Sequence, residues 1–574
     1  MELFDWIILV VTLLFIVVYG AWKSQGSKNV QDYILGSNET PWHIVGLSVM
    51  ATQASAITFL STPGQAYHDG MGFVQFYFGL PIAMVVVCVT FIPIYDKYKV
   101  YTAYEYLGKR FDLRTRSLAA GLFLFQRGLG TGLTIYAPAI ILSALLGWNI
   151  NYLNIMIGLL VIVYTVTGGT KAVNVTQKQQ MFVILLGMVI TFFWILYYLP
   201  NDMSFSNAMH IAGANDKMDS VNFSLDPEEK YTFWSGITGG FFLALAYFGT
   251  DQSQVGRYLS GKSVRESQMG LLMNGVLKVP MQFFILLTGV LVFVFFQFNP
   301  VPLNFNPNNK ISVDNSPYKE EYQALEKKLE LISEDKKVIN LLYIDQLNQD
   351  YDNPILRKEM VALSNKEKDL RDRAKEIILK ADSRSETNDK DYVFFHFILN
   401  YLPKGLIGLL LAVIISAAMS STASGLNALA STTTIDIYKR NLKEEKSEKH
   451  YLNASKLFTL FWGIIAILFA CIGTLFENLI QLVNIIGSIF YGTVLGIFLV
   501  GMYSKRIQSS AIFYSAVFSQ VAIFIIYYFA IYLYPSGEEK LGYLWLNFIG
   551  ALFTIVIAWL LERLVFKNKI AFVE

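Results

Sequence analysis

The residues best suited to chemistry are hydroxyl-bearing side chains inside an apolar stretch of the sequence. In the segment 416–431, 12 of the 16 residues are Ala, Ser, Thr or Gly, and Ser420 and Ser421 are adjacent. Small residues let helices approach closely, which is one interpretation of this segment. Paired hydroxyls can also coordinate a hard cation that prefers oxygen ligands. From these residues alone, both interpretations stay open.

Two further segments predict interrupted membrane helices. The run 50–58 places four polar side chains within an apolar stretch, and a Pro-Gly pair follows at 63–64. The stretch 233–256 carries a Gly-Gly pair at 239–240 and then a polar end that includes Asp251. An interruption frees backbone carbonyls, which transporters use to bind cations near the membrane midplane.

Isolated charges within apolar stretches are a third signal. Arg127 and Lys278 occupy such positions, where a charge in lipid costs several kcal/mol or more. Each side chain could reach the membrane surface, pair with an acid, or face a transport pathway. Asp251 is the one acid that we place near the inner end of such a pathway.

The composition requires a membrane around these residues. The 574 residues are 54% hydrophobic and 16% charged, against about 25% charged in soluble proteins. Of the 90 charged residues, 35 fall within 309–391. The remaining sequence divides into apolar runs of about 20 residues, the length of a transmembrane helix. These features exclude a soluble enzyme, a nucleic-acid-binding protein and a disordered chain, and no catalytic constellation is found.

The apolar runs predict thirteen transmembrane helices in a multi-pass protein of the cell (inner) membrane. The predicted spans are 5–22, 41–67, 72–95, 116–145, 150–167, 177–199, 233–256, 268–298, 393–435, 453–475, 479–502, 508–534 and 541–562. One set of connections carries 24 Lys and Arg residues, whereas the opposite short connections carry 3. Basic residues accumulate on the cytoplasmic side, so we expect the N-terminus outside and the C-terminus inside.

The span count also predicts two inverted units within a single transmembrane domain, 1–574. Five spans lie in 41–199 and five in 233–502, and an odd number per unit makes the second unit run opposite to the first. The segment 300–391 is predicted to be an extracytoplasmic charged insert of two or three polar helices. Its expected apolar stripe consists of Leu325, Leu329, Leu341 and Leu342.

Several stretches together resemble the sodium:solute symporter family. They are 51–67, 102–116, 164–176, 251–268 and 420–439. This family includes bacterial sodium/galactose and sodium/sialic acid symporters and the animal sodium-coupled glucose, iodide, monocarboxylate and multivitamin carriers. The resemblance covers about 5–535 apart from the insert. It implies an all-α, LeuT-like fold of five-plus-five inverted repeats, with one extra N-terminal and two extra C-terminal helices.

The resemblance also implies a sodium site between the broken first helix and the eighth helix of the repeats. Its backbone carbonyls and hydroxyls fall on Ala51, Ala54, Ala417, Ser420 and Ser421. Some family members have a second sodium site, which requires an aspartate where this chain has Gln177. One hydroxyl of that second site is replaced by Ala423, although Ser424 remains. We therefore expect one sodium ion per transport cycle.

The substrate positions of the family are only partly retained. The glutamate and asparagine that hold the sugar in galactose carriers correspond to Tyr77 and Ala244, which argues against galactose. The family lysine is retained as Lys278 and the gating tyrosine as Tyr247, whereas a tenth-helix glutamine corresponds to Gln481 or Asn484. The arginine that grips the carboxylate in sialic acid carriers falls on Leu129, two residues after Arg127. The candidate substrate-binding residues are Thr58, Tyr77, Arg127, Tyr247, Lys278 and Gln481.

Together these features predict a sodium-coupled symporter that imports a small organic solute by alternating access. Arg127 and Lys278 favour an anionic solute, such as a carboxylate or an acidic sugar. The alternatives are a sodium/neutral sugar symporter or a transporter-like membrane sensor. One sodium carried with a monovalent anion would be electroneutral, so the membrane potential would not drive that cycle. The expected partners are sodium, the solute and the lipid bilayer, with no nucleic acid.

Overall fold

The protein is almost entirely helical in the computed structural model, which describes residues 2–23, 40–53, 56–442, 444–472, 479–534 and 538–566. Within these residues, the only β pairing is an isolated bridge between Thr40 and Gly261. Eight helical stretches are long and apolar enough to cross a membrane, and three shorter apolar helical segments accompany them. The all-helical membrane fold is thus confirmed, and the thirteen spans and their orientation stay predictions.

The first half of the chain contains helices α1 to α9. They are α1 (Leu3–Lys23), α2 (Trp42–Gln53), α3 (Ala56–Asp69), a 3-10 helix (Gly70–Tyr77), α4 (Leu80–Val86), α5 (Ile92–Tyr98), α6 (Ala103–Arg110), α7 (Leu113–Leu146), α8 (Ile150–Tyr198) and α9 (Phe205–Ala214). Helix α2 is described as far as Gln53 and α3 from Ala56. Ala54 and Ser55 lie outside the described residues, so the interruption predicted in the run 50–58 stays a prediction. Pro63 lies inside α3, so the Pro-Gly pair does not end this helix.

Helix α8 differs from the sequence prediction, because the predicted spans 150–167 and 177–199 lie in one continuous helix. Gly158 packs against Ile467, near the end of its helix, and Gly187 packs against Leu410, near the start of another. The structure thus has Ile150–Tyr198 as one helix, and the division into the spans 150–167 and 177–199 stays a prediction.

The second half contains helices α10 to α23. They are α10 (Phe233–Ser235), α11 (Phe241–Thr250), α12 (Gln252–Tyr258), α13 (Val264–Phe295), α14 (Pro307–Asp314), α15 (Lys319–Leu347), α16 (Pro354–Ala381), α17 (Lys390–Tyr401), α18 (Leu406–Thr432), α19 (Lys439–Asn441), α20 (Glu448–Ile472), α21 (Leu479–Tyr503), α22 (Ser509–Tyr527) and α23 (Trp545–Leu564). A π-helical turn (Gly236–Gly240) joins α10 to α11.

The second interrupted helix breaks at Asp251, not at the Gly-Gly pair. Asp251 has an extended backbone (φ −76°, ψ 118°) between α11 and α12. Its carboxylate accepts hydrogen bonds from the Ser253 backbone and hydroxyl, at 2.8 and 2.6 Å. A side-chain acceptor at this position starts a new helix by satisfying its free N–H groups. The break therefore depends on a capping acid, whereas the glycines only form the π-helical turn.

The insert consists of α14, α15 and α16, and α16 begins at Pro354. Leu325 and Leu329 are buried on α15, whereas Leu341 and Leu342 are 40% and 50% exposed. Beyond Leu329 the buried face of α15 includes Lys336 and Asn340, so the leucine stripe was wrong over its second half. We call the end of the helical bundle that carries this insert the insert end.

Candidate functional site

A cavity of about 110 Å³ lies between the two interrupted helices and their neighbours α7, α18 and α21. Four of the six candidate substrate residues line it. They are Thr58, Tyr77, Arg127 and Tyr247. Its wall further includes Gln53, Gln126, Thr134, Ser421, Asn484 and Tyr491. Arg127 is the only charged side chain among the described lining residues, which otherwise combine polar amides and hydroxyls with aromatic rings.

Arg127 is held at the cavity wall by a buried acid on the second broken helix. Its guanidinium Nη1 lies 3.8 Å from Asp251 Oδ2, and the Asp251 side chain is fully buried. Tyr491 donates a hydrogen bond of 2.8 Å to the same carboxylate oxygen. Arg127 Nε makes no hydrogen bond to another protein group. The guanidinium thus keeps donor capacity that an anion in the cavity could use.

The aromatic side of the cavity is built by Tyr247 and Tyr491, whose ring centroids are 6.0 Å apart. Gln254 donates to the Tyr247 hydroxyl at 2.6 Å, and Gln126 donates to the Tyr491 hydroxyl at 3.3 Å. Helices α7, α11, α12 and α21 are therefore linked around one polar cluster. Because these helices come from both predicted repeats, movement between the repeats would change the cavity.

Lys278 and Gln481 are the two candidate substrate residues that do not line the cavity. Lys278 Nζ lies 5.7 Å from the Tyr77 ring centroid, so the ring stands between the lysine and the cavity. Gln481 donates to the Gln65 side chain at 3.1 Å. Asn484, the other position considered for the tenth-helix glutamine, is in the cavity wall.

The candidate sodium site has two hydroxyls that lack protein partners. Ser420 and Ser421 are buried on α18, and neither Oγ makes a hydrogen bond to another protein group. Ala51 on α2 and Ala417 on α18 are also buried, whereas Ala54 lies outside the described residues. A buried unsatisfied hydroxyl costs about 1–3 kcal/mol. Oxygen atoms of this kind fit a dehydrated sodium ion, which takes oxygen ligands.

The small-residue stripe on α18 also serves the helix packing that the sequence allowed. A Cβ on Gly425 would lie 2.5 Å from the Thr131 Oγ1 atom of α7. One turn earlier, the hydroxyls of Thr134 and Thr422 lie 2.7 Å apart. These packing contacts are made by other residues of the same stripe, since Ser420 and Ser421 take no part in them.

The residues of the second family sodium site are engaged otherwise in this chain. Gln177 accepts from the Ser48 hydroxyl at 2.8 Å, and its amide donates to Thr52 at 3.2 Å. Ser424 accepts a hydrogen bond from the guanidinium of Arg257. A neutral amide and a neighbouring cation both disfavour a second sodium ion at these positions.

Sequence reasoning missed Gln126 and Tyr491 as members of the site. Gln126 is a polar residue next to Arg127 in an apolar span, which was a usable signal. Tyr491 lies among apolar residues of α21, and its hydrogen bond to Asp251 spans 240 residues of sequence. Only the packing of α21 against α11 reveals that contact.

Comparisons with known proteins identify the family and the fold of this chain. The sequence matches the model of the Sodium:solute symporter family over residues 33–317 and 380–518, which leaves most of the insert unmatched. A sodium-coupled monocarboxylate transporter 1 from Xenopus laevis is 24% identical over 86% of this chain and 66% of its own length. The sodium/sialic acid symporter SiaT of Proteus mirabilis (strain HI4320) is 24% identical over 88% of this chain and 86% of its own length.

Other curated relatives match over a shorter part. The human sodium/iodide cotransporter is 29% identical over 47% of this chain, and the match spans 42% of that protein. The chain thus aligns with less than half to about two thirds of several of these relatives. A solved structure of a Na⁺-coupled sialic acid symporter superposes with a TM-score of 0.72, at 22% identity and 98% coverage of both chains. This likeness shows the shared LeuT-like fold, and by its family match the chain belongs to the sodium:solute symporter family.

Proposed function

We propose that this protein imports a small organic anion together with sodium by alternating access. The observation that carries the proposal is the position of Ser421, which is both a candidate sodium ligand and a lining residue of the cavity. An ion at Ser420 and Ser421 would lie beside a solute in the cavity. Binding of one would then favour binding of the other, which is the requirement for coupled transport.

An anionic solute fits the cavity better than a neutral sugar. Arg127 contributes the only charge of the described wall, and its Nε atom makes no hydrogen bond within the protein. Several relatives are named for anions: monocarboxylate, sialic acid and iodide. Asp251 offsets part of the arginine charge, so we expect a monovalent carboxylate rather than a polyanion.

We propose that one sodium ion is carried per cycle. This proposal is supported by Gln177, which bonds Ser48 and Thr52, and by the guanidinium of Arg257 beside Ser424. With a monovalent anion, such a cycle moves no net charge. The proposal keeps Ala51, Ala54, Ala417, Ser420 and Ser421 as sodium ligands. Its solute contacts are the residues that line the cavity, Thr58, Tyr77, Arg127, Tyr247 and Asn484, whereas Lys278 and Gln481 are no longer proposed as contacts.

The finer topology belongs to the same proposal. Thirteen spans would place the N-terminus outside, the C-terminus inside and the insert on the extracytoplasmic face of the cell (inner) membrane. The protein would carry its solute unchanged rather than act as an enzyme. A membrane-sensor role is the weaker alternative, because a cavity with paired sodium-type hydroxyls serves transport directly.

The decisive experiment is sodium-dependent thermal stabilisation of the purified protein in detergent, with candidate solutes added in sodium or potassium. We expect one class of carboxylates to stabilise the protein only with sodium. Saturation at 100 times the dissociation constant stabilises by about 2.7 kcal/mol. Ser420→Ala should remove the sodium dependence, whereas Ser431→Ala is a matched control.

Ser431 suits that control because its hydroxyl donates to Ala428 O within α18, at 3.0 Å. If sodium stabilises neither the parent protein nor Ser431→Ala under any solute, the hydroxyl pair serves packing and sodium coupling is refuted. Stabilisation by neutral sugars alone would favour the sugar-symporter alternative.

A further inference from the structure

The insert is linked to helix α3 of the bundle through a buried chain of charges. Lys336 of α15 pairs with Glu367 of α16 at 2.6 Å. Arg371 lies 3.4 Å from Glu367 and 3.4 Å from Asp389, which precedes α17. Asp389 in turn lies 3.4 Å from His68 Nε2, at the end of α3. This chain thus runs from the middle of the insert to the first broken helix.

Arg371 is fixed in this chain by more than charge. Its Nη2 donates to the carbonyl of Pro302 at 2.8 Å, and its guanidinium carbon lies 4.7 Å from the Phe305 ring centroid. The Phe305 backbone N–H donates to Asp389 at 2.8 Å. The Phe305 ring also contacts the Tyr67 ring of α3, with centroids 5.4 Å apart. Arg371 and Asp389 therefore organise the surface on which α3 ends.

Further contacts hold α3 at successive levels above the cavity. Asp69 pairs with Lys390 at 2.6 Å, and Gln65 accepts from Gln481 of α21 at 3.1 Å. A Cβ on Gly64 would lie 1.7 Å from the Lys390 carbonyl oxygen. The cavity residue Thr58 lies below all of these positions on α3. These contacts therefore lie between the cavity and the insert end along α3.

The charges at this junction stabilise its closed arrangement. Burial alone would raise the pKa of Asp389, but the His68 hydrogen bond and the Arg371 charge outweigh burial and hold it below its usual range. Asp389 is thus a carboxylate at neutral pH. Loss of the partner of a buried charge destabilises an arrangement strongly, because the remaining charge is uncompensated. If α3 moves away from the insert, water must solvate the separated charges instead.

We propose that Arg371 is a positioning residue of the transport cycle, which acts through Asp389 to hold the end of α3 and to keep the cavity covered at the insert end. The proposal rests on the proposed transport function, since it assigns the unmatched insert to control of solute access. Helix α17, which follows Asp389, leads directly into α18 with Ser420 and Ser421. The junction therefore joins α3, which follows α2 with Ala51, to α17, which precedes α18 with Ser420 and Ser421. Sodium would bind between α2 and α18.

The test measures access to the cavity rather than transport. Val483 lines the cavity on α21 and is replaced by cysteine in a protein whose Cys88 and Cys471 are changed to alanine. Intact cells are treated from outside with a membrane-impermeant thiol reagent. Arg371→Met should raise the rate of Val483→Cys modification by about tenfold, within the usual range of coupling between sites. Arg371→Lys should restore most of the closure.

Two controls separate positioning from simple support of the fold. Lys375→Met removes an exposed pair with Asp372, one turn along α16, and should leave the rate unchanged. Glu334→Cys, exposed on α15, reports whether the reagent reaches the insert from outside. If Arg371→Met does not fold, Asp389→Asn breaks the same link from the other side and should also raise the rate.

The proposal is overturned if Glu334→Cys reacts while folded Arg371→Met and Asp389→Asn modify Val483→Cys within about twofold of the parent rate, well below ordinary site-to-site coupling. The insert would then be a passive cap. Access requires neither sodium nor solute, so this result is independent of the sodium-stabilisation experiment. A failure of sodium coupling with altered access would instead refute the transport proposal and keep the role of Arg371.

Discussion

The cavity and the junction at the insert end are both buried and polar, but they treat their polar groups in opposite ways. In the cavity region, Ser420, Ser421 and Arg127 keep atoms that bond no other protein group. At the junction, Lys336, Glu367, Arg371 and Asp389 each lie within 3.4 Å of an opposite charge. The two hydroxyls without partners fit the proposed sodium ion, whereas the paired charges hold the insert against the helical bundle.

The largest effect that tests this comparison is expected at Arg127. Arg127→Met removes the donors for an anionic solute and leaves Asp251 without its cation. Truncation of a buried charge pair costs about 2–5 kcal/mol, so solute affinity should fall by about 30-fold or more. Isothermal titration or binding of radiolabelled solute in saturating sodium measures this loss.

Lys278→Met is the control for that variant, because Lys278 is also a basic residue within an apolar helix, but it is fully buried and lies behind Tyr77. It should weaken solute binding much less than Arg127→Met. If the two variants lose the same affinity, Lys278 reaches the solute, and the cavity wall seen in this arrangement is incomplete.

The second effect tests whether Ser421 belongs both to the proposed sodium site and to the cavity wall. Ser421→Ala removes one proposed sodium ligand, and bonds to a charged group are worth about 1.5–3 kcal/mol. We expect the sodium concentration at half-maximal binding to rise by about 10- to 150-fold, with solute affinity weakened only when sodium is limiting. Solute binding measured over a sodium series distinguishes this pattern from a direct solute contact, which would persist in saturating sodium.

A smaller effect is expected at Tyr491, whose hydroxyl donates to Asp251. Tyr491→Phe leaves that buried carboxylate one donor short, which should cost about 1–3 kcal/mol of stability or solute affinity. Tyr258→Phe is the control, since the buried Tyr258 hydroxyl makes no hydrogen bond to another protein group. Thermal unfolding and solute binding of both variants show whether the hydrogen bond from Tyr491 to Asp251 contributes to stability or to solute affinity.

The smallest effect is a change in the pH dependence of stability, caused by Glu386, which lies three residues before Asp389 of the junction. Burial, with Asp391 nearby, raises the pKa of Glu386 to about 8. Between its unfolded pKa and pH 8, the folded state holds a proton that the unfolded state has released, so stability falls as pH rises. Glu386→Gln should flatten this decline between pH 5 and 8, by an expected melting-temperature difference of about 1–3 °C. An unchanged slope would show that Glu386 titrates normally.

The sequence alone determined the membrane class and the family, because hydrophobic length, basic residues in connections and motif order are local properties of the chain. It also identified the paired hydroxyls of Ser420 and Ser421, since polar groups in apolar runs are visible without a fold, whereas the interruption in 50–58 stays a prediction. Thr58, Tyr77 and Tyr247, chosen from the resemblance, do line one cavity.

Other features were decided by tertiary structure. Asp251, not the Gly-Gly pair, breaks the second helix, because its carboxylate caps the next helix and also binds Tyr491 and Arg127. Arg127 rather than Leu129 lies in the cavity wall, and only the orientation of α7 against its neighbours selects between them. The partners of Lys336 and Arg371 come from separate helices of the insert, so their burial is invisible in a hydrophobic pattern. Local composition therefore determined the membrane class and the family. Long-range packing determined which buried polar groups are paired and which make no hydrogen bond within the protein.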